Sequence, residues 1–260
     1  MLFGENSLLF IQQSLFNTPP GDIILWFVVF LFSLSFHESA HAWTSERFGD
    51  DTGRLQGRIT LNPIAHIHLI GTIMIPLMGF MSGGGIAMFG WAKPVETNPL
   101  AWRDKTKANI MVSAAGPISN FILATVALII LNILLASHVV ERPYVRDFET
   151  GEVRMARIAE AAPFKVVLPA QEGTLMEPMS KLLSVLFVLN VVLGVFNLIP
   201  IPPLDGSHVL ESLLPYEMAD AFSQIRPYGF ILLLALIWTP VLGWIINPVY
   251  SFLDLLLITG

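Results

Sequence analysis

The stretch IILWFVVFLFSLSFHESAHAWT, residues 23–44, decides the fold. It is long and apolar enough to cross a bilayer as a helix, since about 20 mostly apolar residues span the hydrocarbon core. Yet it carries His37, Glu38 and His41 in its C-terminal half. Ionisable side chains in a membrane helix cost a few kcal/mol each unless something compensates them. The stretch therefore predicts a membrane protein with a polar site inside the membrane.

The composition of the whole chain agrees with a bilayer environment. Of the 260 residues, 54% are hydrophobic and 13% are charged, whereas a soluble domain has about 25% charged residues. The net charge is -6, and no cluster of Lys and Arg could follow a phosphate backbone, so we expect no nucleic-acid partner. The chain has no cysteine, which excludes disulfides, thiolate zinc ligands and a cysteine nucleophile.

Further segments are long enough to span the bilayer, and they are residues 108–136, 179–199 and 229–257. The last contains Pro240 and Gly243, so we expect a kink or break there. Residues 7–16 are too short to span and predict an interfacial helix or a short re-entrant piece. We therefore expect an all-α polytopic membrane protein with about four transmembrane helices. Residues 1–260 would form a single membrane-embedded domain, with residues 137–178 as an extramembrane loop.

A shorter apolar stretch, residues 69–81, separates the first two spans and is followed by Gly83-Gly84-Gly85. It is too short to span comfortably, and the glycines would interrupt a helix. We expect residues 69–90 to turn back within the membrane, as a re-entrant helix or a β-hairpin. The basic residues before the second span then mark the cytoplasmic side under the positive-inside rule.

The pattern H-E-x-x-H at His37, Glu38 and His41 indicates a metal site on a helix. Residues four apart share a helix face, so both imidazoles can reach one Zn²⁺ while the glutamate addresses the attacking water. In a soluble chain the same short pattern would describe two surface histidines equally well. Inside an apolar helix it favours a functional site.

A catalytic zinc needs a third protein ligand and one open position, and Asp205 is the best-placed candidate. It ends the run Asn197-Leu-Ile-Pro-Ile-Pro-Pro-Leu-Asp205, directly after the third span, where three prolines prevent a continuous helix. Irregular backbone at membrane depth is tolerated where it lines protein or a wet cavity. The alternative is an ordinary interfacial aspartate in a turn. Asp205 can meet His37 only if residues 69–90 turn back.

These residues resemble the site-2 protease family of intramembrane zinc metalloproteases, in its compact prokaryotic branch without a PDZ domain. The motifs are His37-Glu-Ser-Ala-His41, Asn62-Pro-x-x-His66, Gly90-Trp-Ala-Lys-Pro-Val95, Ala115-Gly-Pro-x-Ser-Asn120 and Asn197-x-x-Pro-x-Pro-Pro-Leu-Asp205-Gly206. The resemblance covers about residues 22–214. It implies Zn²⁺ on His37, His41 and Asp205, with Glu38 as general base.

The resemblance also implies supporting roles at the substrate or oxyanion for Asn120 and Asn197. On physical grounds Asn120 could equally tie two helices together. Relatives often have Asp where this chain has His68 and Arg where it has His208; neither position is an expected ligand. His66 and His68 are expected to be structural or interfacial rather than ligands. The sequence predicts nothing about oligomeric state.

The implied activity is regulated intramembrane proteolysis, in which a peptide bond in or near a transmembrane segment is hydrolysed. The implied substrate is a single-pass or signal-peptide-like helix, cut near the cytoplasmic side of a prokaryotic cytoplasmic membrane. One rival hypothesis is a metal-handling transporter, which predicts ligands spread along several spans. Another is a non-catalytic relative that binds client proteins, although the intact Glu38 argues against it.

Overall fold

The computed structural model describes residues 19–81, 90–146, 153–161, 163–171 and 173–257. The predicted interfacial segment at residues 7–16 and the Gly83-Gly84-Gly85 triplet lie outside the described residues. The elements before the extramembrane loop are α1 (Pro20–Arg47), α2 (Thr52–Leu55), a 3-10 turn (Pro63–His66), a π-helical turn (Leu69–Met74), α3 (Ile75–Met81) and α4 (Lys105–Ala136).

The remaining elements include four short strands and six helices of the described chain. They are β1 (Val140–Glu141), β2 (Tyr144–Arg146), β3 (Val153–Met155), α5 (Ile158–Ala161), β4 (Leu168–Pro169), α6 (Met176–Asn197), α7 (Asp205–Leu213), α8 (Tyr216–Ser223), α9 (Gly229–Trp238) and α10 (Val241–Leu256). Strand β1 pairs antiparallel with β4, and β2 with β3. The sheets are too small to change the fold class, so the prediction of an all-α polytopic membrane protein is confirmed.

The backbone divides into two compact units. The first comprises the chain up to Ser119 together with Asn197–Leu233, and the second comprises Asn120–Phe196 with Leu234–Gly260. The core of the second unit contains residues of α4, the loop, α6 and α10, among them Leu131, Val140, Ile158, Val166, Phe187 and Leu253. The first unit has a smaller cluster around Trp102.

Four helical stretches are long and apolar enough to cross a membrane, and they are Pro20–Arg47, Lys105–Ala136, Met176–Asn197 and Tyr216–Trp238. The first three extend the predicted spans by a few residues at one or both ends. The predicted fourth span, residues 229–257, is divided into α9 and α10, as Pro240 led us to expect. Pro240 precedes the first residue of α10 and cannot continue a helix from α9, because it lacks an N–H and its ring clashes with the preceding turn.

The residues at the beginning of the apolar stretch after residue 68 contact residues that follow it in the sequence. Its described part, Leu69–Met81, is helical and not a β-hairpin. The Trp91 N–H donates to the Gly71 carbonyl at 3.2 Å, and the Thr72 hydroxyl donates to the Trp91 carbonyl at 2.7 Å. A segment that crossed the membrane could not bring residues 71 and 91 together, so these bonds are those of a re-entrant segment.

Candidate metal centre

Helix α1 places His37 and His41 on one face, as their spacing of four requires. Their Nε2 atoms lie 3.1 Å apart, and the ring planes are nearly perpendicular. His37 is buried and His41 is nearly so. Both imidazoles therefore present the same nitrogen to one point beside the helix.

Asp205 reaches the same point from the first residue of α7. The proline-rich run before it forms a tight turn in which the Leu204 N–H donates to the Ile201 carbonyl at 2.9 Å. Gly206 lets the chain fold back, because a Cβ at that position would press on the Leu198 carbonyl and lie 2.8 Å from the Ile199 oxygen. The turn aims the carboxylate of Asp205 at the two imidazoles.

The three facing atoms have the spacing of a zinc ligand set. Asp205 Oδ2 lies 3.2 Å from His37 Nε2 and 3.5 Å from His41 Nε2. Ligand atoms placed tetrahedrally at about 2.1 Å from zinc lie about 3.4 Å from one another. Asp205 Oδ2 is also buried and receives no well-aligned hydrogen bond. The donor set of two nitrogens and one oxygen therefore fits a zinc ion with one position left open.

A hydrogen bond fixes the tautomer of His41. Its Nδ1 lies 2.6 Å from the Val112 carbonyl of α4. A carbonyl oxygen can only accept, so Nδ1 carries the proton, and in the neutral ring Nε2 then keeps its lone pair. Such a bond also orients the ring, as the outer partners of ligating histidines generally do.

Gly116 of α4 leaves the space that the imidazoles occupy. A Cβ at this position would lie 2.5 Å from His37 Nε2 and closer still to His41 Nε2. The sequence did not predict this contact of Gly116 with the two imidazoles. The Ala115-Gly116-Pro117 motif carried no signal that linked it to His37.

The electrostatics of Asp205 follow from its neighbours. Burial alone would raise the pKa of its carboxyl group, but the facing imidazoles of His41 and His37 lower it below its usual value. Burial, assisted by the charge of Arg226, lowers the pKa of His208, one turn further along α7. Asp205 therefore favours the anionic form that binds a cation.

Glu38 lies beside the ligands on α1 but points to a different partner. Its Oε2 accepts a hydrogen bond of 3.1 Å from the backbone N–H of Val95. Neighbouring Ser39 exchanges hydrogen bonds with the backbone of Thr60, accepting from its N–H at 3.2 Å and donating to its carbonyl. The H-E-x-x-H pattern identifies Glu38 but does not predict these contacts.

His66 and His68 have structural contacts. The buried ring of His66 has Nε2 3.0 Å from the Thr60 carbonyl. His68 Nδ1 accepts from the Gly71 N–H at 3.1 Å and so caps the re-entrant helix. An aspartate would offer an acceptor in the same role, which explains how histidine replaces it. Within the described residues the metal-binding group consists of His37, His41 and Asp205 alone, not the dispersed ligands that a transporter predicts.

Asn120 and Asn197 differ in the contacts that the structure gives them. Asn120 is fully buried in the second unit, where its Nδ2 donates to Asn190 Oδ1 at 2.8 Å. Asn190 in turn donates to the Leu186 carbonyl at 2.8 Å. This bond ties α4 to α6, as one of the two interpretations of Asn120 predicts. Asn197 is the last residue of α6, and its supporting role stays a prediction.

The comparisons with known proteins agree with this geometry. The model of peptidase family M50 matches residues 25–236. "Putative zinc metalloprotease YwhC" of Bacillus subtilis is 33% identical over 233 residues, which cover 89% of each chain. "Putative zinc metalloprotease Rip2" of Mycolicibacterium smegmatis is 30% identical over 235 residues, covering 90% of this chain and 74% of its own. No solved structure matches.

Proposed function

Because this chain belongs to peptidase family M50, an intramembrane zinc metalloprotease family, we propose that it hydrolyses peptide bonds in or near the transmembrane segments of membrane proteins. The observation that carries the proposal is the convergence of His37 and His41 of α1 with Asp205 of α7 at 3.1–3.5 Å. These three side chains would hold the zinc ion.

Glu38 is the general base of the proposed reaction. Zinc, when bound, polarises the scissile carbonyl and lowers the pKa of a water molecule. The Glu38 carboxylate accepts a proton from the attacking water and passes it to the leaving amine. His41, held by the Val112 carbonyl, keeps its Nε2 directed at the ion. His37 is buried and Glu38 and His41 are half-buried, and this partial removal from water strengthens each electrostatic contact.

The proposed substrate is a single-pass or signal-peptide-like helix, within the lipid bilayer. Asn120 and Asn197 are proposed to support the bound peptide or its oxyanion. The substrate itself should be found by comparing membrane proteomes of cells with wild type and Glu38→Gln, in which an uncleaved protein accumulates.

The Glu38→Gln variant tests the mechanism. It preserves shape and should leave the zinc content at one per chain, while kcat falls at least about 100-fold, because general-base catalysis supplies about 10²–10⁴. Glu46→Gln is the matched control, since Glu46 lies on the same helix and pairs with Arg54. Full activity of Glu38→Gln, measured on a membrane-spanning peptide in detergent, would refute the mechanism. A wild-type protein that holds zinc yet cuts nothing would indicate a client-binding relative.

We further propose that the protein lies in a prokaryotic cytoplasmic membrane with the metal centre toward the cytoplasm. The support is the basic character of the chain just before α4 and in its first turn, where Lys93, Arg103, Lys105 and Lys107 lie. Since the chain has no cysteine, the single variant Leu100→Cys provides a clean label at an exposed position. A membrane-impermeant maleimide should react only after permeabilisation. Labelling in intact cells would reverse the proposed orientation.

A further inference from the structure

An extended segment, residues 90–98, runs past the metal centre without regular secondary structure; we call it the strap. In its first half, the N–H groups of every second residue donate hydrogen bonds to other parts of the first unit. Trp91 donates to the Gly71 carbonyl at 3.2 Å, Lys93 to the His66 carbonyl at 2.8 Å and Val95 to Glu38 Oε2 at 3.1 Å. This alternation is that of a strand, in which every second residue faces one side.

The third of these hydrogen bonds differs from the others because its acceptor is a side-chain carboxylate. Among the described residues, the Val95 N–H is the one hydrogen-bond donor to Glu38. A glutamate has three side-chain torsions, and a bond to one oxygen removes most of that freedom. Bonds to an ionised acceptor are also stronger than neutral ones. The Val95 amide thus holds Oε2 in place and leaves Oε1 to receive a proton.

Arg58 fixes the strap behind this contact. Its guanidinium is buried, with Nη2 donating to the Pro94 carbonyl at 3.4 Å and Nη1 to the Ala65 carbonyl. No carboxylate of the described residues pairs with it. A buried charge is costly unless it is hydrogen-bonded. The burial of Arg58 therefore indicates a function for these hydrogen bonds. The Pro94 carbonyl that it holds belongs to the same peptide unit as the Val95 N–H.

The contacts close a ring that begins and ends on α1. Ser39, next to Glu38, exchanges hydrogen bonds with the backbone of Thr60, two residues after Arg58, while the Arg58 side chain holds the peptide between Pro94 and Val95. That peptide donates back to Glu38. We propose that the Val95 amide and Arg58 are positioning groups for Glu38, and that they set the turnover rate without binding zinc. This inference rests on the proposed function.

Proline substitutions separate the amide from the rest of the strap. Val95→Pro removes the N–H, and Thr97→Pro is the matched control, because the Thr97 amide makes no hydrogen bond with the described residues. We expect Val95→Pro to lower kcat by about 10- to 100-fold, as misplacement of a catalytic group by an ångström does. Zinc content should stay at one per chain, and KM should change far less than kcat. Equal kcat for the two variants would overturn the proposal.

Two further variants guard against a simple folding defect. Val95→Ala keeps the amide, so any loss that it shares with Val95→Pro belongs to the side chain. Replacement of valine 95 by its α-hydroxy acid exchanges the N–H for an ester oxygen and changes nothing else in shape. The ester should reproduce the lower kcat of Val95→Pro. An ester form as active as wild type contradicts the positioning role.

Arg58→Met tests the second positioning group, with Arg54→Met as its control. Both changes remove a guanidinium and keep an apolar stem, but Arg54 is exposed and pairs with Glu46 and Asp51. Arg58→Met should lower kcat with zinc retained, whereas Arg54→Met should not. Equal kcat values for the two variants would exclude Arg58 from this role.

A readout that needs no activity is hydrogen exchange of the Val95 amide in ¹⁵N-valine-labelled protein. Exchange should be slow in wild type and at least about tenfold faster in Glu38→Ala and Arg58→Met, since each removes a contact that protects the amide. Unchanged exchange in both variants would overturn the proposal. If the exchange pattern holds while wild type cleaves nothing, the proposed function fails and the strap contact stands. If wild type cleaves but the ester is fully active, the positioning role fails alone.

Discussion

Replacing Gly116 by alanine should weaken zinc binding through contact with the ligands themselves. The added Cβ would lie 2.5 Å from His37 Nε2, whereas ordinary contact begins at 3.4 Å, so the imidazole or α4 must move by about 0.9 Å. His41 cannot turn away freely, because its Nδ1 is bonded to the Val112 carbonyl. Overpacking of this size costs about 1–3 kcal/mol, which corresponds to about 5- to 150-fold in affinity.

The measurement is a zinc titration of purified protein against a chromophoric chelator in detergent. Gly21→Ala is the control, because a Cβ at Gly21 of α1 meets nothing within 4 Å. We expect Gly116→Ala to bind zinc at least about fivefold more weakly and Gly21→Ala to bind like wild type. A Gly116→Ala protein that is folded and binds zinc within twofold of wild type would refute the assignment of the ion to this cluster.

Two further predictions concern the supports of the first unit. His68→Ala should lower the free energy of unfolding by about 1 kcal/mol, because the Gly71 N–H loses its acceptor. His68→Asp should keep an acceptor for that N–H and so keep the stability. Equal thermal midpoints for the two variants would contradict the capping role. Burial raises the pKa of Asp50, but hydrogen bonds from Thr52 and the Asn98 amide lower it below its usual value. The stability that the Asp50 carboxylate contributes is therefore present above about pH 4 and is lost as the pH falls through the folded pKa. The thermal midpoint of wild type should exceed that of Asp50→Asn by less in acid than at neutral pH, and a larger difference in acid would contradict this account.

The sequence predicted the features that depend on the spacing of apolar residues and on the membrane environment. The long apolar runs gave three spans to within a few residues of each end, since a helix in lipid must satisfy its own backbone. The break near Pro240 followed from the missing N–H of proline. The meeting of Asp205 with His37 and His41 followed from direction, because a re-entrant stretch was the one arrangement that allowed it.

The sequence did not predict contacts made by backbone atoms, or the space left where a residue has no side chain. Gly116 matters because of the space it leaves, and a glycine in an apolar helix looks the same whatever it faces. The Val95 amide bears on Glu38 through an atom that almost every residue possesses. In the sequence Arg58 is one of several basic residues between α1 and α4, and its burial in the structure marks it as different. These features depend on tertiary placement, not on residue type.

The separation of the metal ligands along the chain has a consequence for biosynthesis. Asp205 follows His41 by about 164 residues, which a ribosome adds in roughly 8–33 s at about 5–20 residues per second. Throughout that interval α1 has two imidazoles and a glutamate but no third ligand. If His37, His41 and Asp205 hold the zinc ion as proposed, the nascent chain lacks a complete zinc centre, and cannot cut neighbouring nascent proteins, until Asp205 has been made.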